Sequence, residues 1–79
     1  MIISFSQGKI IANNREVMVK LDGDAKVTLQ AQVDDLELIA GVNVVIAVGS
    51  GINWSIYLDQ REQLNSLSLK TGISIKQAR

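Results

Sequence analysis

The sequence predicts a single α+β domain, residues 1–79, an antiparallel meander of about six strands covered on one face by a C-terminal helix. Three observations carry that expectation. Apolar and polar residues alternate with a period of two through most of the chain, turn-forming residues separate the alternating runs, and one later segment is bounded by helix start and stop signals.

Ile3 and Phe5 alternate with Ser4 and Ser6, and Gln7-Gly8 breaks the run before Lys9 to Ala12. Asn13-Asn14 mark the next reversal, since Asn tolerates positive φ. Val17, Val19 and Leu21 then point one way while Glu16, Met18 and Lys20 point the other. Asp22-Gly23 is a strong hairpin signal, followed by Val27, Leu29, Ala31 and Val33 on one face of the next strand.

Residues 33–41 fit two periods. Leu36, Ile39 and Ala40 make a helical face, with Asp34 or Asp35 as cap and Gly41 as stop; Leu36, Leu38 and Ala40 make a strand face. A short helix over residues 34–40 is the expectation adopted. Val42 to Val48 is β-branched and apolar on both faces apart from Asn43, the pattern of a central or doubly covered strand. Ile52, Trp54, Ile56 and Leu58 share one face of the strand after it, which puts Trp54 in the core. Asp59-Gln60-Arg61-Glu62 has the form of a capping box and Gly72 that of a C-terminal cap, so the main helix lies between, with Leu64 and Leu67 on one side. Ile73 and Ile75 close the chain as a short strand.

Eight basic and eight acidic residues cancel, so nothing in the overall charge calls for a nucleic-acid or anionic-lipid partner. The chain has no Cys and no His, which removes disulfides, thiolate or imidazole metal sites and Cys/His nucleophile systems. The first residues lack a basic start and a long apolar run, so a cytoplasmic location is expected. Residues 38–58 carry no charge, but Asn43, Gly49, Gly51 and Asn53 interrupt them, and two strands with a turn are expected there instead of a membrane helix.

Gly49-Ser50-Gly51 has the spacing of the first two glycines of a dinucleotide loop. The third small residue is replaced by Trp54 and a strand follows, so a hairpin turn is expected. Asp22-Gly23-Asp24 is similar to the start of a calcium loop, yet the twelfth position is Val33 where a bidentate Glu belongs. Asp34, Asp35 and Glu37 form an acidic cluster that could hold a magnesium ion or meet a basic partner, and a role at a helix N-terminus is expected. No catalytic residue, metal ligand or cofactor is assigned.

At "ISFSQGKIIANN", "VTLQAQVDDLELI" and "NWSIYLD" the chain resembles a family of small uncharacterised marine-bacterial proteins, a domain of unknown function. The resemblance covers nearly the whole chain. Relatives of this kind sometimes bear a label as a sugar phosphotransferase subunit; such IIA subunits are phosphorylated on His and most IIB subunits on Cys, and this chain has neither.

The functional expectation is a non-enzymatic module that binds another protein or a second copy of itself as a homodimer. A chain of this length buries only about 60–65% of its unfolded surface, and the two-faced strand offers apolar area to a partner. Val45, Ala47 and Tyr57 are the candidate interface residues. The alternative is a small-ligand-binding or regulatory subunit holding a metabolite between sheet and helix.

Overall fold

Eight strands, one helix and one 3-10 turn account for the regular structure among the residues described by the computed structural model, which are 1–23, 27–49 and 51–77. The first half is the expected meander: β1 (Ile2–Phe5), β2 (Gly8–Ala12), β3 (Glu16–Leu21) and β4 (Thr28–Gln32) pair antiparallel in chain order. Alternation works as read. Phe5, Ile10, Ala12, Val17, Val19 and Ala31 are buried on one face, and Ser4, Lys9, Lys20 and Thr28 are exposed on the other.

Local chemistry sets each reversal. Phe5 pairs with Gly8, leaving a two-residue connection between β1 and β2. Gly8 is required for a further reason: a Cβ there would collide with the Lys20 carbonyl oxygen on the neighbouring strand. Asn13 closes the β2–β3 turn, its Oδ1 accepting from the amides of Arg15 at 2.8 Å and Glu16 at 2.9 Å. The Asp22-Gly23 reversal is longer than a tight hairpin, because Lys20 pairs with Thr28 and the Leu21 amide donates to the Val27 carbonyl. Residues 24–26, with the Asp24 of the calcium-like motif, lie outside the described residues.

The second half departs from the expected single sheet. β5 (Leu36–Ala40), β6 (Val44–Gly49), β7 (Ile52–Tyr57) and β8 (Ile75–Gln77) form their own sheet in the order β7-β6-β5-β8, and β8 runs parallel to β5. The helix expected over residues 34–40 is instead a 3-10 turn at Val33–Asp35 followed by β5. Pairing decides between the two periods: Leu36, Leu38 and Ala40 are buried alternately, and β5 forms ladders with both β6 and β8. A helix could not have supplied those ladder hydrogen bonds. Asn43, at φ 53, sits in the turn that carries the chain into β6.

One apolar core joins both sheets and the helix. Ile10, Val17 and Val19 from the first sheet meet Leu38, Val45 and Ala47 from the second, with Leu64 and Leu67 of α1 (Arg61–Thr71) packed into the same cluster. Full burial of each leucine is worth about 1.5–3 kcal/mol. The helix begins one residue later than the capping pattern suggested. Gln60 is the N-cap, and the Gln63 Oε1 accepts from the amides of Asp59 and Gln60 at 2.8 and 3.0 Å. Asp59 instead reaches the β1–β2 turn, where its Oδ2 accepts from the Ser6 amide at 2.8 Å. Gly72 ends the helix at φ 80, donating to the Ser68 carbonyl, as expected.

Candidate interaction surface

The outward face of the second sheet is built by register. β6 is one of its two interior strands, and on this face Val44 pairs with Tyr57 and Ile39, Ile46 with Ser55 and Glu37, and Val48 with Asn53. Directly opposed residues of an antiparallel pair share a face, so these side chains form one surface. Ile39, Val44, Ile46, Val48 and Tyr57 are its apolar members, with Glu37 and Ser55 on either side of Ile46. Val44 is 5% exposed, yet it belongs outside the shared core cluster.

Towards the rim the apolar groups open to solvent: Val48 is 59% and Tyr57 62% exposed. On the opposite flank the Lys76 Nζ lies 2.6 Å from the Glu37 Oε1, and both side chains are well exposed. Such a pair contributes little to stability, at most about 1 kcal/mol. It leaves the rim of the face electrically neutral.

The three expected interface residues are therefore divided between two faces. Tyr57 lies on the outward surface. Val45 and Ala47 do not; they are 1% and 0% exposed and face the core, where they oppose Ile56 and Trp54. The additional apolar face of β6 is made by Val44, Ile46 and Val48. A signal for this was present in the sequence. Gly49 pairs with Ile52, leaving two linking positions, and that count places Ala47 opposite Trp54 and Val45 opposite Ile56. Residues opposite the core-facing Trp54 and Ile56 must themselves face the core.

The other motifs resolve into structural roles. Gly49 and Gly51 flank a hairpin reversal as expected: Gly51 has φ 79, and a Cβ on Gly49 would lie 2.7 Å from the Asp35 carboxyl carbon. Trp54 is half-buried against the core, and its Nε1 donates to the Gln30 carbonyl at 3.4 Å, linking β7 to β4. The acidic cluster is dispersed, with Asp35 against Gly49 and Glu37 paired to Lys76. Among the described residues no group of three acidic side chains comes together to hold a metal ion. No helix among them is long and apolar enough to cross a membrane.

The structure perturbs the acidity of Asp59. Hydrogen bonding from Ser6, the hydroxyl first and the backbone amide after it, holds its carboxyl below the usual carboxylate range, while desolvation opposes the shift. The role is positional, since the contact fastens the start of α1 to the β1–β2 turn.

A small α+β domain of two four-stranded sheets and one helix sharing an apolar core, with Val48 and Tyr57 exposed on the outward face of one sheet, is the class that fold and surface define. The chain belongs to the family described as "Protein of unknown function (DUF3389)", whose model matches residues 1–75. No curated protein and no solved structure matches it.

Proposed function

We propose that this protein is a non-enzymatic, cytoplasmic interaction module that pairs with a second copy of itself through the outward face of β5, β6 and β7. The supporting observation is the shared face of Val44, Ile46, Val48 and Tyr57, with Ile39 beside it, on which Val48 and Tyr57 are exposed.

Charge favours a like partner. The rim holds one acid and one base already paired, so two copies can approach without like-charge repulsion, and no net charge selects a partner of opposite sign. A two-fold axis near Ile46 would set each Tyr57 towards the Val48 end of the facing sheet, the self-complementary arrangement of a C2 dimer. Size limits its strength. Two proteins in a standard complex each bury about 800 Å², roughly a sixth of this chain's 5041 Å² surface. A face on one sheet of so small a chain makes the dimer weak and concentration-dependent.

The alternative of a metabolite held between sheet and helix has less support, because Leu64 and Leu67 fill that space at 0% and 1% exposure. Sedimentation equilibrium tests the proposal. The average mass should rise from one chain towards two with concentration, and Val48→Lys should hold it at one. A wild-type mass fixed at one chain up to about millimolar concentration, where a dissociation constant still corresponds to roughly 4 kcal/mol, would refute it.

A further inference from the structure

The outward face of the first sheet carries a different chemistry. Register aligns Ser4 with Lys9, Lys9 with Lys20, and Lys20 with Thr28, making a row of two ammonium groups flanked by two hydroxyls across all four strands. All four residues are exposed. Like charges placed directly opposite each other destabilise a sheet. Among the described residues no carboxylate forms an ion pair with either lysine.

A surface cleft of about 310 Å³ adjoins the row, lined by Lys9, Lys20, Leu21, Asp22, Val27 and Thr28. We infer that the Lys9–Lys20 pair, with the Ser4 and Thr28 hydroxyls, binds a small oxyanion of the phosphate or phosphate-monoester class. Two ammonium groups on neighbouring strands can each donate to a different oxygen of one tetrahedral dianion, and a hydroxyl on either flank can donate to the oxygens left over. A bound dianion also relieves the repulsion that the register imposes. Asp22 in the same cleft sets a limit, because its charge disfavours a highly charged polyanion. The row ends at the sheet edges, too short for the repeated phosphates of a nucleic acid.

Heteronuclear NMR of the full chain, titrated with inorganic phosphate against sodium chloride at matched ionic strength, tests this site. Saturable shifts at the Ser4, Lys9, Lys20 and Thr28 amides are expected with phosphate. The double variant Lys9→Gln/Lys20→Gln should weaken binding at least tenfold, and Lys70→Gln should leave it unchanged. Three results would overturn the inference: shifts that chloride reproduces, saturation that survives the double variant, or saturation by a Glu-rich peptide with no response to phosphate. The wild-type titration decides without the variants, so a poorly folded variant does not obscure the outcome.

Discussion

Val44 and Tyr57 lie directly opposite each other on β6 and β7, and the pair joins the most protected residue of the outward face to one of its most exposed. Val44 is 5% exposed without joining the core cluster, while Tyr57 beside it is 62% exposed. A second copy seated on this face would cover the exposed Tyr57 and Val48.

Substitution on the two faces of β6 should separate association from folding. Val48→Lys and Tyr57→Ser act on exposed side chains, and exposed substitutions usually change stability by less than about 0.5 kcal/mol. Each should weaken dimerisation at least tenfold with little change in melting temperature. Val45→Ala, on the inner face, should lower the melting temperature instead. Paired thermal melts and sedimentation runs distinguish the two patterns.

The helix is held by a small number of side chains, and shortening one should be costly. Leu64 is fully buried in the core shared by both sheets. Leu64→Ala should cost about 2–5 kcal/mol, against a total stability of about 4–12 kcal/mol for a domain of this length. Urea denaturation should show a large fall in midpoint.

Two glycines should respond differently to alanine. At Gly8 the added Cβ meets the Lys20 carbonyl, a backbone group that cannot swing aside, so Gly8→Ala should disrupt the pairing of β2 and β3. At Gly72 nothing crowds the position, and only the left-handed backbone resists, at about 1–2 kcal/mol. Amide exchange should quicken along β2 and β3 in the first variant and only near the end of α1 in the second.

Acid should loosen the fastening of α1 to the β1–β2 turn. The Asp59 carboxyl has a folded value below its unfolded one, so its contribution is present above the ordinary carboxylate value of about 3.9 and is lost as pH falls through the lower folded value. Asp59→Asn removes that dependence. Stability measured between pH 6 and about pH 2 should fall less steeply in the variant than in the wild type.

Much of this fold was legible because each run of the first sheet is more apolar on one face than on the other. Val17, Val19 and Leu21 against Glu16, Met18 and Lys20 leave one way to bury the strand. Residues 36–40 were harder, because Leu36 and Ala40 satisfy both the helical and the strand period and only tertiary pairing separates them. β6 was harder still: with apolar residues on both sides, composition cannot say which side faces inward. The Lys9–Lys20 pair lies eleven positions apart in sequence, and the register across the β2–β3 turn brings it together.

The most direct test of the central claim is an isotope-filtered NOE experiment on an equal mixture of labelled and unlabelled chains at high concentration. Contacts between copies are expected from the methyl groups of Val44, Ile46 and Val48 to the ring of Tyr57. Intermolecular contacts arising instead from Ile2, Ile11 and Met18 on the first sheet, or no contacts between copies at all, would contradict the account.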